Sequence, residues 1–268
     1  MEWTEHTAPE GPVFLTAATI PYRHGFSTRF GGVSTGDLAS LYLGEHREDA
    51  PENVRENNRR FGAAVGFDPA RMVFTRQVHG NAVRTVTAKD IHALMTPVPY
   101  DADGIVTAEP DLALLCFTAD CVPVLLADGK QGVVAAVHCG WRSSVGDILK
   151  NTLDAMRALG ARPEDVAAAI GPSIGFCCFE VGPEVAAGVE TYLRGDTAGL
   201  TRPSPNGEGK VYLDLREANR RRLVQLGLDP QKIAVSRACT MCRPDKYWSY
   251  RVVGQRRGTM AAAIVISE

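Results

Sequence analysis

The segment LALLCFTADCVPVLLADGKQGVVAAVHCGWR, residues 112–142, decides the fold. It contains three apolar runs separated by short polar turns, and we predict these runs to be strands over Leu112–Phe117, Val122–Ala127 and Gly132–Val137. Apolar residues occupy consecutive positions in each run, which is typical of strands buried on both faces. The segment therefore predicts the centre of a sheet that is covered on both sides.

Outward from this segment, strand-like runs alternate with helix-like segments towards both ends of the chain. The other predicted strands are Val13–Ala17, Met72–Val78, Gly104–Thr107, Val166–Ile170, Ile233–Arg237 and Thr259–Ile266. The predicted helices are Asn53–Val65, Gly146–Leu159, Glu184–Leu193 and Leu215–Leu226, the last with Asp214 as its N-cap. The polar stretch Gly195–Lys210 is predicted to be an exposed loop. The sequence contains no linker or repeat, so we predict one α/β domain over residues 1–268.

Composition and charge exclude several classes of protein. The net charge is −2 and no cluster of five or more Lys and Arg occurs, unlike the basic surface of a nucleic-acid-binding protein. The apolar runs are much shorter than the ~18 residues of a membrane span, and no signal-peptide pattern is present. Seven cysteines at irregular spacing fit reduced thiols. We therefore predict a cytoplasmic protein that binds a small molecule; the sequence does not indicate its oligomeric state.

Three metal-capable residues, His79, Cys121 and His138, each lie at the end of an apolar run and beside turn-forming residues. Any one of them alone would be read as a core residue, but three in this position indicate one site at the sheet edge. Two imidazoles and a thiolate suit zinc, and three protein ligands leave the fourth position of a catalytic zinc open. We therefore predict a metal-centred active site, most consistent with zinc.

Arginines and further cysteines provide other candidates. Arg29, Arg142 and Arg251 lie beside glycines or aromatic residues, which suits a guanidinium held rigidly for phosphate or carboxylate. The pair Cys239 and Cys242 forms a CxxC motif without a second such pair, which is a weak zinc signal. We therefore expect those two thiols, like the adjacent Cys177 and Cys178, to have packing roles, and we expect Cys116 to lie in the core.

The order of motifs along the chain resembles that of the laccase-domain proteins, also called the YfiH-like or multicopper polyphenol oxidase family. The matching motifs are HGFSTRFGGVST (24–35), RQVHGN (76–81), DADGIVT (101–107), TADCVPVLLAD (118–128), AAVHCGWR (135–142), GPSIGFCCFEVGPEV (171–185), YLDLREANRRRL (212–223) and CTMCRPDKYWSYR (239–251). The sequence departs from the usual pattern at Tyr42, Cys139, Ser143-Ser144 and GPSIGF, and these differences bear on substrate preference rather than on the metal ligands.

The resemblance implies a single α/β domain in which mixed sheets lie between helices, in α/β/β/α layers. It implies zinc bound by His79, Cys121 and His138. The implied activity is phosphorolysis of adenosine, inosine and methylthioadenosine to free base and ribose 1-phosphate, together with deamination of adenosine. For this chemistry we assign Arg29 to phosphate, and Asp103 or Asp120 to acid–base catalysis on their proximity in sequence.

Three other functions remain open from the residues alone. Cys121 could be the nucleophile of an amidase that edits peptidoglycan precursors. A His₂Cys set could hold one copper for phenol oxidation, although the 6 histidines are too few for a multicopper centre. A non-enzymatic zinc protein would need a fourth ligand, for which Cys139 is the candidate.

Overall fold

The computed structural model describes residues 2–45, 47–207 and 209–267. Its strands are β1 (Trp3–Thr7), β2 (Val13–Ala17), β3 (Arg23–Ser27), β4 (Met72–Val73), β5 (Val83–Thr85), β6 (Gly104–Thr107), β7 (Ala113–Thr118), β8 (Val122–Asp128), β9 (Val133–Cys139), β10 (Val166–Ile170), β11 (Glu180–Val181), β12 (Thr201–Pro203), β13 (Val211–Leu213), β14 (Ile233–Val235) and β15 (Met260–Val265). Its α-helices are α1 (Pro51–Val65), α2 (Trp141–Val145), α3 (Ile148–Ala158), α4 (Pro183–Tyr192), α5 (Leu215–Gln225) and α6 (Tyr250–Val253).

These strands form two six-stranded sheets and one small three-stranded sheet. The first sheet has the order β1-β2-β3-β15-β7-β4, and the second has the order β14-β10-β8-β9-β6-β5. Most neighbouring strands are antiparallel, but β4 is parallel to β7, β14 to β10 and β5 to β6. Both large sheets are therefore mixed, as predicted.

Alternating side chains along the central strands enter different cores. Leu114 of β7 and Leu125 of β8 lie in one apolar cluster between the two sheets. Leu115 packs with α1 on the outer face of the first sheet, whereas Leu126 packs with α3 and α5 on the outer face of the second. Each central strand is thus buried on both faces, which explains its consecutive apolar residues and gives the α/β/β/α layering.

The predicted strand Met72–Val78 is wrong beyond Val73. From there the chain leaves the sheet, and the Gln77 side chain takes over its hydrogen bonding to Phe117. Gln77 donates through Nε2 to the Phe117 carbonyl over 2.7 Å and accepts the Phe117 N–H on Oε1 over 2.7 Å. This side-chain bridge satisfies the backbone of β7 and frees the following residues to form the turn that carries His79.

The predicted helix Gly146–Leu159 corresponds to α3, which begins at Ile148, and a separate short helix, α2, precedes it and ends at Val145. Asp147 between them has a positive φ of 63° and its carboxylate pairs with the Arg222 guanidinium. The other predicted helices lie within two residues of their observed bounds, and Asp214 caps α5 by accepting the Glu217 N–H over 3.0 Å.

The predicted loop Gly195–Lys210 is wrong in part, because β12 lies within it and pairs with β13; Glu208 lies outside the described residues. The short strands β1, β3, β5, β11 and β13 were also not predicted from the sequence. No helix among the described residues has the length and apolar character needed to span a membrane.

Candidate metal centre

His79, Cys121 and His138 meet at one edge of the two large sheets. Cys121 lies in the turn between β7 and β8, His138 lies in β9 opposite Pro123, and His79 lies in the turn that follows Gln77. One ligand atom from each of the three residues lies within 4.8 Å of the others. Cys121 Sγ is 3.7 Å from His79 Nε2, and the two imidazole rings are nearly perpendicular with centroids 4.7 Å apart. The predicted constellation is therefore assembled in space.

The Asp103 side chain holds two parts of this cluster in place. Its carboxylate is fully buried and accepts the Nδ1–H of His138 over 2.7 Å. It also accepts the backbone N–H groups of Val78, His79 and Gly80 over 3.1, 2.9 and 2.8 Å. Burial raises the pKa of Asp103, but the His138 contact and these N–H groups outweigh burial, so the pKa is lowered. One carboxylate thus turns His138 Nε2 towards Cys121 and holds the turn of His79, which itself has a positive φ of 59°.

Gly140 leaves the space between the three side chains open. A Cβ at this position would lie 2.8 Å from His79 Cδ2, 3.5 Å from Cys121 Sγ and 3.6 Å from His138 Cε1. Any larger residue would therefore push a side chain into the centre of the cluster. Sequence reasoning noticed the turn HCGWR but missed this requirement for glycine.

Cys121 and His138 perturb one another's protonation. Burial disfavours the Cys121 thiolate, but His138, and to a lesser degree His79, stabilise it and lower the pKa of Cys121 to about 6. Burial also disfavours the His138 imidazolium, but Cys121 and Asp103 raise the pKa of His138 to about 9. The cluster thus favours a thiolate, which is the form of cysteine that binds metals and attacks electrophiles.

Cys139, the candidate fourth ligand of a non-enzymatic zinc protein, does not join this cluster. It is fully buried in the apolar core beneath α3, on the opposite face of β9 from His138. The reason is the pleat of the strand, which points successive side chains to opposite faces. Cys116 lies in the core between the sheets, as predicted.

A cavity of about 400 Å³ opens beside the cluster. His79 and Cys121 form part of its wall, so the cluster is open towards the cavity. Most of the remaining wall is apolar or aromatic, and four polar residues also line it. The apolar group is Ala119, Trp141, Ile174, Phe179, Leu215 and Tyr250, and the polar group is Asp120, Arg251, Gln255 and Arg257. A smaller cavity of about 130 Å³ lies on the other side of the cluster, between His138 and Thr259.

Asp120 also borders the large cavity, but its carboxylate is occupied. Oδ1 accepts the Thr240 hydroxyl over 2.6 Å, and Oδ2 accepts the Ser249 hydroxyl over 3.0 Å and the Arg251 N–H over 2.7 Å. Asp120 has a positive φ of 86°, which directs its side chain into this network. Its contacts therefore support a positioning role for Asp120, as those of Asp103 do.

Two of the three predicted anion-binding arginines are engaged elsewhere. Arg29 donates to the carbonyls of Ala39 and Pro244 and lies 3.9 Å over the Trp248 ring. Arg142 is exposed and stacks on the Trp141 ring at 4.3 Å. Neither is among the described residues that line the large cavity. The structure therefore does not bring the predicted phosphate ligand, Arg29, to the candidate site.

Arg251 and Arg257 are the arginines that reach the cavity. Both Nη atoms of Arg251 lie 3.2 Å from the Glu180 carbonyl, which fixes the guanidinium at the rim. Arg257 borders both cavities, and its buried Nε is without a hydrogen-bond partner among the described residues. A buried, unsatisfied guanidinium N–H next to a cavity indicates an anion-binding position. Arg257 was not predicted as a site residue from the sequence, because the segment GQRRGT (254–259) that contains it is charged and looks exposed.

A second group of metal-capable side chains lies apart from the first. Cys177, Cys178, Cys239 and Cys242 place their sulfur atoms within 4.8 Å of one another. The fold thus brings together two pairs that are far apart in sequence, and the expectation that they have packing or other structural roles stays a prediction.

The other histidines in the described part of the chain have other partners. His6 bonds to the Thr16 hydroxyl, His24 to the backbone of Tyr22 and Ala17, and His92 to the Asp90 carbonyl. Only two of the described histidines thus belong to the candidate centre. This agrees with the expectation that imidazoles are too few for several copper ions.

Comparison with known proteins identifies a family and relatives that match most of this chain. The family described as multi-copper polyphenol oxidoreductase laccase matches residues 23–267. A protein of Deinococcus radiodurans named purine nucleoside phosphorylase is 40% identical over 258 residues, which cover 96% of this chain and 94% of the relative. A protein of the same name from Bacteroides thetaiotaomicron is 34% identical, with 91% of each chain covered.

Solved structures share the whole fold. YlmD from Geobacillus stearothermophilus superimposes with a TM-score of 0.90 at 31% identity, covering 98% of this chain and 99% of that one. The YfiH protein of Bacillus licheniformis also has a TM-score of 0.90, at 28% identity and the same coverage. The predicted α/β fold and the resemblance noted from the motifs are both confirmed.

Proposed function

The chain belongs to the multi-copper polyphenol oxidoreductase laccase family, and from this premise we propose that it is a purine nucleoside phosphorylase acting on adenosine, inosine and methylthioadenosine. The observation that carries the proposal is the cavity itself. His79 and Cys121 form part of its wall, aromatic and aliphatic side chains form most of the rest, and Arg251 and Arg257 also line it. The cavity therefore offers surfaces and polar groups that suit a flat purine, a ribose and an anion.

In the proposed reaction, an oxygen of inorganic phosphate forms a bond to C1′ of the ribose. The bond from C1′ to the purine nitrogen breaks, and its electron pair leaves with the base. The proton of hydrogen phosphate passes to the departing purine nitrogen, so the products are the free purine and ribose 1-phosphate, or 5-methylthioribose 1-phosphate when methylthioadenosine is the substrate. Arg257 would hold the phosphate beside the developing positive charge of the sugar, and Phe179 and Tyr250 would hold the purine.

The donor set fits a zinc ion. The three ligand atoms surround an open space that a Cβ at Gly140 would fill, and Asp103 fixes the tautomer in which His138 Nε2 faces that space. When bound, zinc would supply a positive centre with one position open to water or substrate. Copper accepts the same ligand types and stays an alternative metal.

We include adenosine deamination as a second activity of the same cavity. It is supported by the position of the cluster, because the purine would lie against the same wall as His79 and Cys121. The motif that characterises zinc deaminases of nucleobases is absent from the sequence, so this activity requires a separate measurement.

The first test is product analysis by mass spectrometry with adenosine, in the presence and absence of phosphate. We expect adenine and ribose 1-phosphate only when phosphate is present, and inosine in either case. Cys121→Ala should abolish both, whereas Cys116→Ala, which removes a core thiol, should retain them. Full activity of Cys121→Ala would show that the cluster does not take part in the reaction.

The second test separates Arg257 from Arg29. Arg257→Ala should raise the KM for phosphate about 10–100-fold, because a hydrogen bond to a charged group contributes roughly 1.5–3 kcal/mol. The KM for the nucleoside should change less. Arg29→Ala should lower thermal stability and leave the KM for phosphate near the wild-type value. If Arg29→Ala raises the KM for phosphate and Arg257→Ala does not, Arg29 is the residue that binds phosphate.

One arrangement favours the amidase as a second candidate. Asp103, His138 and Cys121 form a carboxylate–imidazole–thiol series, the order of groups in a cysteine hydrolase. A covalent acyl adduct on Cys121 of metal-free protein, formed with a peptidoglycan-precursor amide, would support this function. Metal-dependent nucleoside cleavage without such an adduct would exclude it.

A further inference from the structure

We propose that Cys177, Cys178, Cys239 and Cys242 bind a second zinc ion in a closed, four-thiolate structural site. The site is distinct from the His79–Cys121–His138 cluster and does not depend on the reaction that the protein catalyses. Its role is to join two segments of the cavity wall, residues 173–179 and 239–251.

The spacing of the sulfur atoms fits one ion. Cys242 Sγ lies 3.4 Å from both Cys177 Sγ and Cys178 Sγ, and all four sulfur atoms lie within 4.8 Å of one another. Four sulfurs bound tetrahedrally at ~2.3 Å from zinc are separated by about 3.8 Å. The two distances of 3.4 Å are close to this value, and they exceed the ~2.05 Å of a disulfide bond. Small adjustments of side chains would therefore complete the coordination.

Backbone hydrogen bonds hold the two cysteine segments together. Gly175 donates its N–H to the buried Cys239 Sγ over 3.2 Å. The two segments also run side by side, with Thr240 N–H donating to the Ser173 carbonyl over 3.1 Å. These bonds keep both pairs of sulfur atoms in place around one common space.

Two arginines offset the charge of a four-thiolate centre. A Cβ at Gly175 would lie 2.8 Å from Arg216 Nη2 and 3.2 Å from Cys177 Sγ, so the guanidinium and the thiol border the same small space. Arg216 is buried and anchored by the carbonyls of Ser236 and Ala238. Arg202 lies beside the Cys177 carbonyl and over the Tyr212 ring. Zinc with four thiolates carries a net negative charge, which these cations match.

The position of the cluster links it to the candidate active site. Ile174 and Phe179, on either side of the first cysteine pair, line the large cavity. Thr240, within the second pair, donates to Asp120, which in turn holds the backbone of Arg251. A zinc ion here would therefore fix two parts of the substrate wall relative to each other without touching the substrate.

The test is the zinc content of the full chain, measured by elemental mass spectrometry after purification under reducing conditions. In a His79→Ala/Cys121→Ala background, we expect one equivalent of zinc per chain. Adding Cys239→Ser and Cys242→Ser should remove that equivalent, whereas adding Cys116→Ala should retain it. The design separates this site from the first, so failure of the proposed reaction would not affect the result.

Equal zinc in both variants, or no zinc in the background variant, would overturn the proposal. So would a disulfide between Cys242 and Cys177 or Cys178 in freshly purified metal-free protein, detected by the mass change on alkylation. If the double serine variant does not fold, the single variant of the exposed Cys177, Cys177→Ser, should bind zinc at least tenfold more weakly in a chelator competition. Unchanged affinity in that variant would also overturn the proposal.

Discussion

The His79–Cys121–His138 cluster and the four-cysteine cluster differ in what surrounds their ligands. The first has three candidate ligands, one side open to a cavity, and a fully buried carboxylate, Asp103, behind it. The second has four candidate ligands, all thiols, and its buried sulfur accepts the Gly175 N–H. An open coordination position suits chemistry, and a closed thiolate set suits a structural ion. The number, type and surroundings of the candidate ligands therefore separate the two proposed roles.

The largest expected effect separates the clusters by activity. His79→Ala should lower kcat/KM for nucleoside cleavage about 10³-fold, because metal-based stabilisation is worth several kcal/mol. Cys177→Ser should change kcat by less than about tenfold and act mainly on thermal stability and nucleoside KM. Steady-state kinetics on both variants would check this. Equal losses of kcat would show that both clusters take part in the chemistry.

Gly140→Ala tests whether the space inside the first cluster is needed. The added methyl group would displace the His79 ring, so we expect an activity loss of about 10²-fold, the effect of a misplaced catalytic group. Zinc bound at the four cysteines should be unchanged. Gly188→Ala is the matched control, because a Cβ there meets Val145 at an ordinary 3.4 Å. Wild-type activity of Gly140→Ala would mean that the cluster tolerates a filled centre.

Asp103→Asn tests the carboxylate support of the first cluster. Loss of the charge behind His138 should weaken metal binding at this cluster about 10–100-fold, as is usual for such a partner. The four-cysteine site should keep its affinity in the same chelator titration. Asp101→Asn, which breaks only an exposed pair with Arg76, should leave both affinities unchanged. An equal effect of both substitutions would argue against a specific role for Asp103.

The smallest expected effect is a shift in thiol titration. In metal-free protein, alkylation of Cys121 should rise with pH through about 6 and level off above it. An unperturbed thiol titrates near ~8.5. Because the folded pKa lies below the unfolded value, the stability contributed by this thiolate is lost as pH falls through about 6. His138→Gln should move the alkylation midpoint upwards, and an unmoved midpoint would show that His138 does not stabilise the thiolate.

Local sequence determined the centre of the fold and the residues of the first candidate cluster. The strands from Leu112 to Val137 were predictable because burial on both faces requires consecutive apolar residues. His79, Cys121 and His138 were identifiable because each interrupts an apolar run at a turn. The predictions of zinc, of specific nucleosides and of a cytoplasmic location stay predictions.

Tertiary structure alone decided which side chains support those ligands. The role of Asp103 depends on a turn 23–25 residues away in sequence, and Arg257 replaces Arg29 at the cavity because Arg29 is engaged by distant carbonyls. The four cysteines come from pairs about 64 residues apart that only the loops of the folded chain bring together. The spacing of apolar residues along the chain reflects which face of a strand or helix is buried, and it can be read from the local sequence. Hydrogen bonds, charge pairs and ligand clusters depend on residues that become neighbours only when the sheets pack.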